Sequence, residues 1–177
     1  MYFGDFAAIP LLVALFFYLA LTSQGVSAVP GLALYLAVGL ATWTLAEYLI
    51  HRFVYHHAPL LSPLHDAHHR QPDALIGVPS FVSSGFVVLV CYLPLMEFAP
   101  AAAAGFTSGV LIGYAGYMFV HHATHHMDIG PDDWLYRARV RHLGHHYHAD
   151  TNFGVVTGFW DRVFGTASTR RDRLAGA

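Results

Sequence analysis

The stretch RHLGHHYH, residues 141–148, is the one around which the rest of the chain is organised. It contains His142, His145 and His146 at i, i+3 and i+4, a spacing that puts three imidazoles on one face of an α-helix. Imidazole is the commonest neutral nitrogen ligand of metal ions in proteins, so this face predicts a metal site.

Three other groups extend the pattern: HDAHH with His65, His68 and His69, HRFVYH with His51 and His56, and HHATHH with His121 and His125. Ten histidines in four groups are too many for one ion and enough for two. The spacing of His51 and His56 leaves them about 140° apart on a regular helix, so the helix must end or deform between them. HHATHH also allows a second register, His122 with His126.

The composition indicates a membrane protein. Hydrophobic residues make up 55% of the 177 residues and charged residues 11%, and the mean hydropathy is +0.45. Four apolar stretches of about 20 residues can each cross a bilayer core: residues 2–22, 30–50, 79–98 and 100–120. Asp5 argues against a cleaved signal peptide, so the first stretch is predicted to remain as a helix.

These features predict one all-α domain over residues 1–177, a four-transmembrane-helix bundle with a small helical cap at residues 51–78 and 121–168. All nine basic residues are arginines, and they lie in the histidine-rich loops or after the last apolar stretch. The positive-inside rule therefore places these loops and both termini in the cytoplasm. The tail after Ser168 is expected to fray.

Gly105, Gly109 and Gly113 form a GxxxGxxxG repeat in the fourth apolar stretch. Such a repeat lets two helices approach closely, either inside this bundle or in a homo-oligomer. The single cysteine, Cys91, cannot form an internal disulfide.

A metal site just beyond the span ends would lie at the membrane face, where a lipid chain can reach it. A transporter would instead need polar residues at mid-membrane depth, whereas Glu47 and Glu97 lie at span ends. A nitrogen-rich site without thiolates is compatible with iron, copper, nickel or zinc. The chain has no basic run interleaved with aromatic residues, which argues against nucleic acid.

The chain resembles the fatty acid hydroxylase / sterol desaturase superfamily over about residues 47–166, and within it most resembles the fatty acid 2-hydroxylase branch. The motifs that carry the resemblance are EYLIHRFVYH (47–56), HDAHHRQP (65–72), HHATHH (121–126) and RHLGHHYHADTNFGVVTGFWDRVFGT (141–166). Four histidine clusters in the family's order are far more specific than a single HxxHH. Met118 departs from the hydroxylase branch, where an acidic residue often stands, and this leaves the exact substrate open.

The resemblance implies a di-iron monooxygenase that hydroxylates an unactivated C–H of a membrane lipid acyl chain, with C2 as a candidate position. It would use O2 and two external electrons. The family pattern favours the His121/His125 register. Carried over residue by residue, the metal ligands would be His51, His56, His65, His68, His69, His121, His125, His142, His145 and His146. A recombinant sample could carry zinc in place of iron, since imidazole accepts both.

The electrons are expected from a separate donor of the cytochrome b5, ferredoxin or reductase type, because the chain begins with an apolar stretch and not with a fused cytochrome b5 domain. Arg137, Arg139 and Arg141 suit either an acidic donor or lipid headgroups.

Several side chains near the histidines are candidates for supporting roles. Glu47, one turn before His51, could accept an imidazole N–H or pair with Arg52. Asp66 and Asp150 could orient ligands likewise.

Asp161 next to Arg162 is interpreted as a local ion pair that stabilises the cap. Trp160 and Phe164 either contact the acyl chain or pack the cap.

Two other interpretations of function stay open. One is the same chemistry, as hydroxylation or desaturation, on a sterol, carotenoid or alkyl lipid. The other belongs to a different class: a membrane protein that binds or transports metal without catalysis.

Overall fold

The computed structural model describes residues 3–79 and 81–168, and those residues form helices and turns with no strand. The α-helices are α1 (Gly4–Gln24), α2 (Val29–Leu49), α3 (Ser62–Arg70), α4 (Val82–Val87), α5 (Pro100–His126), α6 (Tyr136–Tyr147) and α7 (Phe159–Val163). The all-α prediction is therefore confirmed for this part of the chain. Tyr2 and Ser80 of the predicted spans, and the tail after Ser168, lie outside the described residues.

The described residues divide into two compact units. The apolar unit contains the chain up to Trp43 together with Val78–Ala115. The histidine unit contains Thr44–Gly77 and the chain from Gly116 onward. All ten predicted metal ligands belong to the histidine unit, while the long helices α2 and α5 each begin in the apolar unit and end in the histidine unit.

Among the described residues, two helical stretches are long and apolar enough to cross a membrane, Gly4–Tyr55 and Pro100–His126. The first contains α1, a 3-10 turn at Gly25–Ala28, α2 and a π-helical turn at Ile50–Tyr55. Gly25 has φ +65°, a conformation that favours glycine, and it ends α1.

The predicted third span, residues 79–98, contains less regular helix than expected. α4 has six residues, and a π-helical turn of five residues, Val88–Tyr92, follows it. Irregular turns then lead to Ala99, whose N–H bonds to Leu95 O over 2.8 Å. Pro94 explains the change, because it has no N–H and its ring crowds the preceding turn.

The glycine repeat of α5 packs on α2 inside the apolar unit. A Cβ added to Gly109 would lie 2.2 Å from Leu36 O, and one added to Gly105 would lie 2.6 Å from Leu32 O. Gly39 on α2 faces α5 in the same way, 2.2 Å from Phe106 O. The repeat therefore serves packing between two helices of this chain, the first of the two predicted uses.

Asp5 is a buried carboxylate at the start of α1. It accepts hydrogen bonds from the Phe81 N–H at 3.0 Å and the Ser84 hydroxyl at 2.8 Å. The Tyr114 hydroxyl lies 3.4 Å from its other oxygen. A buried carboxylate needs such donors, and these contacts connect α1 with the first turn of α4.

The histidine unit has a small apolar core of its own. Its buried members come from the end of α5, the connection to α6, α6 itself and the segment after it: Val120, Ala123, Ile129, Leu135, Ala138 and Val155. Burying these side chains holds α5 against α6, so that histidines on the two helices face each other.

Candidate metal centre

Nine of the ten predicted ligands form two groups in the histidine unit. The ligand atoms within each group lie within 4.8 Å of one another. The five-histidine cluster is His51, His56, His65, His69 and His145. The four-histidine cluster is His68, His121, His125 and His142.

The tenth, His146, lies at the edge of both clusters. Its Nε2 is 3.3 Å from Nε2 of His142. Its ring is stacked on that of His69, with centroids 4.3 Å apart, and lies 4.7 Å from that of His125. The structure thus brings all ten predicted side chains together.

The i, i+5 pair is aligned by a π-helical turn. The backbone of Ile50–Tyr55 is π-helical, and the rings of His51 and His56 stack at 5.4 Å with an interplanar angle of 15°. π-Helical turns interrupt α-helices mostly at functional sites. The predicted deformation between these two histidines is confirmed.

Each HxxHH motif contributes to both clusters. On α3, His65 and His69 join the five-histidine cluster and His68 joins the four-histidine cluster. On α6, His145 joins the first and His142 the second. The motif therefore has side chains for two neighbouring centres on one helical face.

At the end of α5 the structure separates the two possible registers. His121 and His125 face the four-histidine cluster. His122 and His126 stack on each other with ring centroids 4.4 Å apart and belong to neither cluster.

Backbone carbonyls set the tautomer of two histidines. His51 Nδ1 lies 2.5 Å from Phe153 O, and His145 Nδ1 lies 2.7 Å from Thr151 O. Because a carbonyl only accepts, Nδ1 must carry the hydrogen in both rings. Each Nε2 therefore presents a lone pair to the five-histidine cluster.

The nitrogen contacts in this cluster fit a bound cation. Nε2 of His51 is 3.1 Å from Nε2 of His65, and Nε2 of His145 is 3.1 Å from Nε2 of His56. Nε2 of His65 is also 3.2 Å from Nε2 of His56. Neutral imidazole has only one N–H, so if His65 and His56 donate to His51 and His145, this third contact brings two donors together. Hydrogen bonds therefore cannot satisfy all four nitrogens at once. A metal ion that prefers nitrogen ligands would satisfy them together.

Burial keeps these imidazoles neutral. Burial, together with the neighbouring histidines, lowers the pKa of His68, His145 and His146 to about 3 and that of His56 to about 4. Neutral imidazole is the form that binds a metal ion. The site is therefore ready to bind metal at neutral pH without first losing protons.

The segment Thr151–Val156, which we call the carbonyl loop, is held by two buried carboxylates. Asp161 accepts the N–H groups of Phe153 at 2.8 Å and Gly154 at 2.9 Å. Glu47 accepts those of Val155 at 2.6 Å and Val156 at 2.9 Å.

Arg141 binds the other side of the same loop. Its Nε donates to Gly154 O at 2.7 Å and its terminal nitrogen donates to Val155 O at 2.6 Å. Bonds on both sides of its backbone make the loop a well-supported platform for His51 and His145.

The predicted supporting carboxylates do not make the predicted contacts. Glu47 binds backbone N–H groups and not His51, whose Nδ1 is bound to Phe153 O, and Arg52 donates to the Tyr48 hydroxyl at 2.8 Å. Asp66 and Asp150 are exposed, and among the described residues no site histidine donates a hydrogen bond to either of them.

Asp161 is predicted to form a local ion pair with Arg162, but it is fully buried and binds backbone N–H groups of the carbonyl loop instead. A fully buried carboxylate needs several donors, which an adjacent exposed arginine does not supply.

Of the three arginines considered for docking, two bind the protein itself. Arg139 donates to Met127 O at 2.6 Å, and Arg141 binds the carbonyl loop. Arg137 is exposed. Arg141 is therefore engaged within the protein, while Arg137 stays open to solvent.

Trp160 and Phe164 pack against the last turns of α2. Trp160 Nε1 donates to Thr44 Oγ1 at 3.0 Å, and Phe164 stacks on Tyr48 with centroids 5.2 Å apart. Phe164 keeps 47% of its surface exposed. These contacts fit the packing interpretation.

Sequence reasoning missed the role of the carbonyl loop. The groups of this loop that act at the site are backbone groups, which nearly every residue type carries, so no side-chain pattern marks them. The available signal was Asp161, a lone carboxylate in an apolar segment, which must find donors if it is buried.

Two adjoining groups of neutral imidazoles on a helical scaffold define a candidate histidine-rich dimetal protein. The fatty acid hydroxylase family matches residues 36–166. The chain belongs to this family.

Individual relatives agree with that assignment. The dihydroceramide fatty acyl 2-hydroxylase FAH2 of Arabidopsis thaliana is 34% identical over 77% of this chain and 62% of its own length. The fatty acid 2-hydroxylase of Homo sapiens is 32% identical over 82% of this chain and 41% of its own. The chain thus spans less than two thirds of either protein.

A solved structure is also similar. It is described as full-length scs7p with only the hydroxylase domain visible, and it matches with a TM-score of 0.74 and 28% identity over 96% of this chain and 67% of that chain.

Proposed function

We propose that this protein hydroxylates the acyl chain of a membrane lipid at C2. In the balanced reaction, R–H, O2, two electrons and two protons give R–OH and water. One C–H bond and the O–O bond break, one oxygen atom enters the product, and a separate donor supplies the electrons.

The observation that carries this proposal is the convergence of ten imidazoles in two adjoining groups, in a chain that matches the fatty acid hydroxylase family. The two relatives above, a dihydroceramide fatty acyl 2-hydroxylase and a fatty acid 2-hydroxylase, support the position and the substrate class.

We propose the ten histidines as ligands of two iron ions, with His146 adjoining the four-histidine cluster. Iron bound there supplies the reductive activation of O2 that an unactivated C–H requires. The chain's own residues hold neutral imidazoles in place, and the carbonyl loop orients two of them. Zinc fits the same nitrogen donors in a recombinant sample.

For the membrane arrangement we propose four spans within one integral-membrane domain. α1 and α2 would form one helical hairpin. The stretch containing α4 would form the second with α5. The arginine distribution supports a cytoplasmic location for the histidines and both termini.

The electron donor is proposed to be a separate protein of the cytochrome b5, ferredoxin or reductase type. Arg137, the exposed arginine on α6, is the candidate contact for an acidic donor.

The deciding experiment compares the lipids of a host with and without the protein by mass spectrometry. We expect one lipid class to gain a single oxygen atom, with fragmentation placing the hydroxyl at C2. The His145→Ala variant, made to the same level, serves as the inactive control. An added oxygen on a sterol or carotenoid would overturn the proposed substrate. A lipid that loses two hydrogens would overturn hydroxylation as the reaction. If the lipids do not change but the protein binds or transports metal, the non-catalytic alternative is favoured.

A further inference from the structure

The two clusters differ in what holds their imidazoles. In the five-histidine cluster, Nδ1 of His51 and Nδ1 of His145 donate to carbonyls of the carbonyl loop. In the four-histidine cluster, Nδ1 of His68 and Nδ1 of His142 are buried and have no hydrogen-bond partner among residues 3–79 and 81–168.

This difference has a direct consequence for metal binding. An imidazole whose Nδ1–H is bound to a carbonyl has its ring orientation and tautomer set before the metal arrives. A ring without that bond must give up rotational and tautomeric freedom when it binds. Losing such an orienting partner typically lowers metal affinity about 10- to 100-fold.

The support for the five-histidine cluster extends through the carbonyl loop to Asp161. One oxygen of Asp161 accepts Phe153 N–H and the Thr166 hydroxyl, both at 2.8 Å, and the other accepts Gly154 N–H at 2.9 Å. The carbonyl of Phe153 is the one that orients His51. Asp161 thus positions His51 through Phe153, whose N–H it accepts and whose carbonyl binds the His51 ring.

We propose that the two metal positions are inequivalent: the five-histidine cluster binds the first ion and binds it more tightly, with Asp161 as its positioning residue. The proposal rests on the metal-binding part of the proposed function. It does not depend on which lipid is oxidised.

The first test uses the metal-free full chain in detergent micelles, titrated with Co²⁺ and followed by visible absorption. We expect two binding steps separated by about 10-fold or more. His56→Ala should remove the tight step, and His125→Ala should remove the weak one.

The second test is Asp161→Asn, in which an amide N–H₂ replaces one of the two acceptor oxygens. We expect the tight step to weaken about 10- to 100-fold and the weak step to stay unchanged. Asp132→Asn, an exposed carboxylate in the loop before α6, is the matched control and should change neither step.

Equal affinities, first loading of the four-histidine cluster, or a parallel weakening of both steps in Asp161→Asn would overturn the proposal. If that variant does not fold, the steps that are lost in His56→Ala and in His125→Ala decide alone. Absence of any Co²⁺ binding would overturn the proposed function, and this inference with it.

Discussion

His51 and Phe153 stand 102 residues apart in the chain, yet the His51 imidazole donates its Nδ1–H to the Phe153 carbonyl over 2.5 Å. This bond fixes which ring nitrogen points at the neighbouring histidines. It makes a glycine-containing loop near the end of the chain part of a site whose side chains come from helices.

Replacing His145 with Ala should lower the amount of hydroxylated product about 100-fold or more, because it removes one nitrogen from the five-histidine cluster. The bound metal should fall from two ions toward one, while the helical content by circular dichroism stays the same. His126→Ala, which removes an exposed ring outside both clusters, is the control. Unchanged turnover in His145→Ala would exclude it as a ligand.

Replacing Glu47 with Ala should destabilise the protein, because the N–H groups of Val155 and Val156 lose their acceptor. A buried unsatisfied group costs about 1–3 kcal/mol. Glu47→Gln keeps an acceptor oxygen in its amide group, so its loss of unfolding free energy should be less than half that of Glu47→Ala. The measurement is the unfolding free energy of the metal-free protein in detergent. An alanine variant as stable as the original protein would show that the carbonyl loop does not need this carboxylate.

Gly109→Ala should disrupt the contact between α2 and α5, because its Cβ would lie 2.2 Å from Leu36 O and 2.8 Å from Leu40 N. Overpacking against backbone typically costs about 1–3 kcal/mol and sometimes more. Gly116→Ala on the same helix meets nothing within 4 Å and should be neutral or stabilising by up to about 1 kcal/mol. Thermal melts of the two variants test this, and equal melting temperatures would contradict the packing.

The metal-free protein should lose stability as the pH falls below about 6.5. His68 and His145 have a pKa of about 3 in the folded protein against an ordinary value of 6.5, because burial disfavours their charged form. Between these values the unfolded chain binds protons that the folded protein does not, so unfolding becomes more favourable as the pH is lowered. Above about pH 7 this effect vanishes.

Denaturation of the metal-free protein between pH 8 and pH 5 checks that expectation. A second measurement is calorimetry of metal binding at pH 6.5 in buffers of different ionisation enthalpy, which reports the number of protons released. We expect the histidines to release almost none. Stability that is constant over this range would show that these rings are more accessible to water than the structure indicates.

Much of the site was predictable from residue spacing. An i, i+3, i+4 pattern puts three side chains on one face wherever a helix forms. The grouping on α3 therefore followed from His65, His68 and His69, and the grouping on α6 from the same spacing of His142, His145 and His146. The i, i+5 pair required a deformed helix, and the π-helical turn at Ile50–Tyr55 provides it. Long apolar runs likewise determined that the chain is helical.

Which histidine joins which cluster was decided only by the tertiary structure, since His68 and His69 are adjacent in the chain and belong to different clusters. The same holds for the partners of Glu47 and Asp161, both of which bind backbone N–H groups of the carbonyl loop. The physical reason is that side-chain spacing repeats along one helix and can be read from it. A backbone N–H or carbonyl has the same chemistry at nearly every residue, so only the folded chain determines which of them meets a given side chain.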